Sequence, residues 1–344
     1  LPRLCLRARE VLKMDKLALI SGESFIYWNS IVYTLAAAVA IAFFLAFYIG
    51  KCGNAVAGFA AVPFSIAISL VAARFFHWYC QADSYEGFLD AMTDYTSGGY
   101  ALMGVFLGCF LTACFLRLIR LDRSLPEMLD AMAISGCAGI AVGRLASLFN
   151  SSDRGQVMAN FKSLPFTWPV TNAVSGAVEY RLATFMLQSM VALLLFVGLS
   201  VFYLRGNKRG NLKNGDTSLI FLLIYGASQV VLDSTRYDSL FFRSNGFVSV
   251  VQVLSALGLG LAIFIFSKRM VKNWGLKFWQ FLLWIPIAAG IGCGGFMEYY
   301  VQRHGNEAVF AYSVMSGCLI GVILLTLLIR FLAEKKSIET AYSE

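Results

Sequence analysis

Nine stretches of this chain are apolar for long enough to cross a lipid bilayer, and that leaves few folds open. They lie at about 30–49, 57–79, 98–119, 128–149, 183–204, 218–232, 247–267, 278–296 and 310–333. Each crossing needs about 20 helical residues at about 1.5 Å rise. The sixth run is short and ends in polar residues, so a count of eight is the alternative. A large soluble all-α protein would need charged faces on most of its helices. Segments such as LLLFVGLSVFYL have none, and only 14% of the 344 residues are charged against 58% hydrophobic. The expected fold class is therefore all-α, a polytopic integral membrane protein.

The formal net charge of +8 does not point to nucleic acid, because of where the charges fall. Basic residues gather in alternate loops: Arg117, Arg120 and Arg123; then Arg205, Lys208, Arg209 and Lys213; then Lys268, Arg269, Lys272 and Lys277. Lys335 and Lys336 follow in the C-terminal tail, whereas 83–94 holds four acids and no lysine or arginine. This is the positive-inside pattern. It predicts a cytoplasmic C-terminus and, with nine spans, an N-terminus outside. Arg3, Arg7, Arg9 and Lys13 run against that topology, and a start at Met14 would remove most of the conflict. No short apolar segment ending in a small-residue cleavage site precedes the first run.

Metal and cofactor chemistry find no support. The eight cysteines are scattered through apolar segments without a CxxC pair, and the two histidines, His77 and His304, lie far apart. There is no Walker loop, HExxH, GxSxG or Rossmann fingerprint. No metal site and no cofactor are expected. NSS at Asn150 matches a glycosylation acceptor, a triplet common by chance. Two outward segments are rich in polar residues: the long connection 150–181, expected to cap the outer leaflet, and 228–246.

The ionisable residues within or beside the runs carry the functional signal. A charge at the centre of a membrane helix costs about 2.5–3.5 kcal/mol on insertion scales. Arg74, Arg144, Asp233 and Arg236 all fall near helix ends that face the same side. Any one such arginine could simply snorkel to the interface or pair with a carboxylate such as Asp233. Several together form a cationic pocket suited to a lipid phosphate, which guanidinium forks grip well.

The stretch VGRLASLFNSSDRG (142–155) resembles the signature region of the bacterial prolipoprotein diacylglyceryl transferases. Gly143, Arg144, Ala146, Asn150 and Gly155 match it, while Ser147 stands in place of an asparagine and Ser152 in place of a glutamate. YWNSIVYTL (27–35) is similar to the family's first-helix motif, and GGYALMGVFLG (98–108) to its third. YGASQVVLDSTRYD (225–238) followed by GFVSVVQVLS (246–255) resembles the segment that leads into the last family helix. Met103 occupies a position that is His or Tyr in the family. Gln229 replaces an arginine, Asp233 a glutamate, and Gln188 a glutamate in RLATFMLQ.

The resemblance implies a division into an N-terminal segment 1–25, a seven-helix transferase-like core over 26–267 and two additional helices with a cytoplasmic tail over 268–344. It implies a bacterial plasma-membrane enzyme that moves diacylglyceryl from phosphatidylglycerol to the lipobox cysteine of a secreted prolipoprotein, releasing glycerol phosphate. The implied partners are phosphatidylglycerol, the prolipoprotein signal peptides and the bilayer itself. The departing phosphate needs positive charge, and the thiol, with a pKa near 8.5, needs help to ionise. Arg144 and Arg236 are the expected catalytic cations, with Asp233 holding them. Asn150, Arg74 and Arg181 are expected to support substrate binding, and His77 and Tyr100 are candidate bases in the absence of one at 103. A second reading, favoured by the replacements at Met103, Ser147, Ser152 and Gln229, is a homologue that binds lipid or precursor without turning it over. A transporter is disfavoured because no internal repeat is present.

Overall fold

A computed structural model describes residues 17–21, 24–52, 54–94, 98–122, 124–150, 154–157, 166–171, 176–210, 212–242, 245–303 and 308–343. The N-terminal basic residues, Met14, Arg123, Ser152 and His304 lie outside the described residues.

Among these residues, eight helices are long and apolar enough to cross a membrane. They are α1 (Trp28–Cys52), α2 (Ala55–Cys80), α5 (Leu125–Gly143), α6 (Thr184–Arg209), α7 (Asp216–Ser234), α8 (Val250–Trp274), α9 (Phe281–Arg303) and α10 (Ala308–Ser343). Between them lie a short surface helix α3 (Phe88–Thr93) and the apolar α4 (Leu102–Leu118). The sixth run, doubtful in the sequence, is a full 19-residue helix. The short one is instead the third run, with 17 residues. Its expected start at 98 fails for a local reason. Gly98 and Gly99 have φ of 72° and 79°, a left-handed geometry that cannot enter a right-handed helix.

Consecutive spans alternate in direction, so the two ends of the bundle differ. At one end the connections are tight turns beside Lys51, Arg117, Arg209, Lys213 and Lys277. The other end carries three antiparallel hairpins that the periodicity of the sequence did not announce. These are β1 (Leu17–Ser21) with β2 (Ser24–Tyr27), β3 (Thr167–Thr171) with β4 (Val178–Leu182), and β5 (Phe241–Phe242) with β6 (Asn245–Ser249). Each is short and sits on a loop, so the chain remains an all-α polytopic membrane protein.

Helices pair mainly as α1 with α5, α2 with α4, α7 with α8 and α9 with α10. Small residues permit the closest of these approaches, as expected where lipid supplies no hydrophobic drive between helices. A Cβ added at Gly104 would lie 2.3 Å from the Ala73 Cα, and one at Gly108 2.4 Å from the Ser69 Cα. Large apolar side chains such as Leu194, Val71 and Leu257 remain exposed, a surface that only lipid covers without cost.

The last two helices are not loosely attached. α10 packs on α8 and α7, and its Met315 and Ile329 share one buried cluster with Leu223 and Phe266. An ionic clamp reinforces the contact. Asp216, fully buried at the start of α7, accepts from Arg269 of α8 and from Arg330 of α10 at 3.0 Å. Close by, Asp130 of α5 accepts from the backbone N–H groups of Gly215 and Ser218 at 2.8 and 2.7 Å, capping the same helix start.

Removing one partner of a buried ionic cluster leaves uncompensated charge. Asp216→Ala is therefore expected to lower stability by about 3 kcal/mol, read as a drop in thermal unfolding temperature of the detergent-solubilised chain. The exposed Asp83→Ala serves as the control that should not move it.

Candidate active site

The stretch 142–155 bends sharply where α5 ends. After Gly143 the chain tightens into a 3-10 turn, Arg144–Leu148, and re-enters the fold at 154–157. Arg154, which the sequence reading passed over, holds this bend. Its Nη2 donates to the Ser147 carbonyl at 2.6 Å and to the Asn150 carbonyl at 2.9 Å. Its guanidinium lies 4.5 Å from the Phe185 ring centre and 5.4 Å from that of Trp168, a cation–π setting for a side chain that is almost fully buried. Phe149 stacks on Trp28 at 5.8 Å, tying the turn to the first-helix motif.

Gly155 then passes between two elements at close range. Its N–H donates to the Leu182 carbonyl at 2.7 Å, and the next N–H, of Gln156, to the Thr235 carbonyl at 3.0 Å. A Cβ here would lie 2.7 Å from both the Leu182 Cβ and the Thr184 Oγ1. Isolated bridges pair Gly155 with Arg236 and Val157 with Arg181. This backbone stitching brings the long loop onto the end of α7. Arg181 ion-pairs with Glu179 at 3.0 Å and stacks over Tyr237 at 4.6 Å.

Under this cap, polar side chains of α7 line up one turn apart: Tyr225, Gln229, Asp233 and, just past the helix, Arg236. Asp233 is buried and accepts from Arg236 at 3.3 Å and from the Ser249 hydroxyl. Ser249 also caps α8 in a reciprocal box with Gln252, so one carboxylate ties the end of α7 to the start of α8. Arg236 is held a second time by Asp238, at 3.0 Å. Arg144 and Asp233 both lie within electrostatic reach of the buried Tyr225 hydroxyl. Phe106 of α4 meets the Tyr225 ring edge-on at 5.6 Å. Met103, one turn before Phe106 on the same helix, is buried. The two glutamines meet: Gln188 Nε2 donates to Gln229 Oε1 at 3.0 Å, with both side chains fully buried.

Arg74, His77 and Tyr100 form a separate group on α2 and the segment before α4. Arg74 donates to the backbone carbonyls of Ala91 (2.5 Å), Asp94 (2.6 Å), Gly99 (3.1 Å) and Gly98. It thus clamps the acidic segment 83–94 to the glycine turn before α4. Tyr85 and Tyr100 flank its guanidinium at 5.0 and 5.6 Å. His77 Nδ1 shares a hydrogen bond with the Tyr85 hydroxyl at 2.8 Å, and its ring packs where a Cβ on Gly99 would sit. Among the described residues no group of His, Cys, Asp and Glu could hold a metal ion.

The geometry defines a class: a multi-pass membrane protein with an arginine–tyrosine–carboxylate cluster at one end of its bundle, roofed by short hairpins. A family model described as prolipoprotein diacylglyceryl transferase matches residues 17–268, and the chain belongs to that family. It is similar to the phosphatidylglycerol–prolipoprotein diacylglyceryl transferase of Streptococcus pyogenes serotype M3, with 27% identity over 276 residues, 78% of this chain and 99% of the relative. The relative of the same name from serotype M5 is 26% identical over 279 residues, with the same coverage. The family match stops within α8, so α9 and α10 lie beyond it.

Tyr225, Ser249 and Arg154 were missing from the expected site. The Tyr-Gly motif had flagged Tyr225 for ancestry only, and nothing local marks Arg154 as buried. The tight seat of Gly155 gives a direct check. Gly155→Ala is expected to cost about 1–3 kcal/mol through overpacking, measured by thermal unfolding. Gly136→Ala, whose Cβ would enter open space, should be neutral.

Proposed function

We propose that this chain transfers the diacylglyceryl group of phosphatidylglycerol to the lipobox cysteine thiol of secreted prolipoproteins. The observation that carries this reading is the convergence of Arg144, Tyr225, Asp233 and Arg236 at one end of the bundle, in a chain belonging to the transferase family. The basic turns support a cytoplasmic position for the opposite end. The cluster then faces the outer leaflet of a bacterial plasma membrane, where secreted precursors arrive, with the N-terminus outside and the C-terminus inside. Residues 26–267 form the transferase core, and 268–344 add two helices and a tail.

In the reaction the cysteine sulfur attacks the glyceryl carbon that bears the phosphate. A C–S bond forms, the C–O bond to phosphate breaks, and glycerol phosphate leaves. The thiol proton ends on that departing phosphate, so the balanced reaction needs no net proton acceptor from the protein. This suits a site with methionine at 103, which cannot accept a proton. Arg144 supplies the charge that steadies the leaving phosphate and favours the thiolate. Two carboxylates already hold Arg236, which makes it the residue that positions Asp233 and the cap. Asn150 opens the loop over the phosphate, and Arg181 steadies that loop from β4. Arg74 and Tyr100 organise the neighbouring outer loop, and His77 supports it through Tyr85.

The test is complementation in cells depleted of their own transferase, with diacylglyceryl on a model lipoprotein followed by mass spectrometry. Wild type should restore the product. Arg144→Ala should reduce the rate by about 10²–10³-fold, while His77→Ala should keep most of it. Well-expressed wild type that yields no product would leave the non-catalytic lipid-binding reading in its place.

A further inference from the structure

At the basic end of the bundle, α6 and α10 stand apart across a cleft of about 380 Å³. Gly198, Phe202, Arg205 and Arg209 recur at helical spacing on the α6 wall, with Val201 beside them. Arg330 and Glu334 of α10 form the facing wall.

The charges on this cleft do not balance. Arg330 already engages Asp216 at 3.0 Å and Glu334 at 2.5 Å, and stacks over Phe202 at 4.8 Å. Arg205 and Arg209 are exposed and have no carboxylate partner among the described residues. Four residues apart on one helix they repel each other, a cost that an anion between them would reverse. Deeper along α6 the lining turns apolar. Val201 is 42% exposed, and no atom lies within 4 Å of where a Cβ on Gly198 would sit. A free phosphate would use the arginines and gain nothing from that trough. A phospholipid would use both.

We propose that this cleft binds an anionic phospholipid from the leaflet at the basic end, with the phosphate at Arg205 and Arg209 and an acyl chain along Val201 and Gly198. The lipid is held and not turned over. The site lies at the opposite end of the bundle from Arg144, and one of its walls belongs to α10, beyond the family match. It does not depend on the transfer reaction.

Native mass spectrometry of the full detergent-released chain tests this, with phosphatidic acid, phosphatidylcholine and inorganic phosphate as separate probes. Arg205→Gln/Arg209→Gln changes only exposed side chains, so its unfolding temperature in lipid-free detergent should match wild type. Wild type and Arg144→Ala should both retain phosphatidic acid at this site, and the double variant should bind it about tenfold more weakly. Val201→Trp, which fills the trough but keeps both arginines, should weaken retention as well. Equal retention by the double variant, or equally tight phosphatidylcholine, would overturn the proposal. Displacement of phosphatidic acid by inorganic phosphate would also overturn it, by making this a site for free anions.

Discussion

The carboxylate of Asp233 is the contact on which the hairpin end of this protein depends. Buried at the close of α7, it joins Arg236 to the hydroxyl that caps α8. In a low-dielectric bundle an unpaired charge at this depth would be prohibitive. Each partner therefore makes the others tolerable. Once Arg236 is fixed, its backbone receives Gly155, and the loop that began at Arg144 is folded back over the α7 stripe. A short polar network thus sets both the roof of the site and the angle between two spans.

The two ends of the bundle solve opposite problems. The hairpin end carries charged side chains while keeping itself ordered, and it does so with backbone pairing and arginines that grip carbonyl oxygens. Arg74 and Arg154 are both of this kind. The basic end uses tight turns and buried acids, with Asp130 and Asp216 gathering the starts and ends of α5, α7, α8 and α10. Through Asp216, α10 becomes part of the same framework, and α9 joins it by packing on α10.

The replaced family positions look independent along the chain, yet two of them touch. Gln188 and Gln229, which stand where the resemblance leads one to expect a glutamate and an arginine, form a buried amide pair between α6 and α7. A neutral pair avoids the desolvation of two ions, so the two changes are consistent with each other. The core keeps its polar link and loses a cation beside Tyr225. Arg144 is the cation that remains within electrostatic reach of the Tyr225 hydroxyl.

Hydrophobic run length and the alternation of basic loops were enough to locate the apolar helices and the asymmetry of the two ends, because both signals are set by the bilayer and not by neighbours. The count of nine gives way to eight long apolar helices and a shorter third one among the described residues. The early helix start at 98 failed because two glycines adopt a left-handed turn, which composition does not reveal. The hairpins were missed because strands of two to five residues carry no periodicity. Four arginines near one membrane face read alike in the sequence. Only tertiary packing separated them, since what an arginine does depends on which acceptors surround it. Carbonyls claim Arg74, two carboxylates claim Arg236, and Glu179 claims Arg181, while Arg144 stands beside the Tyr225 hydroxyl.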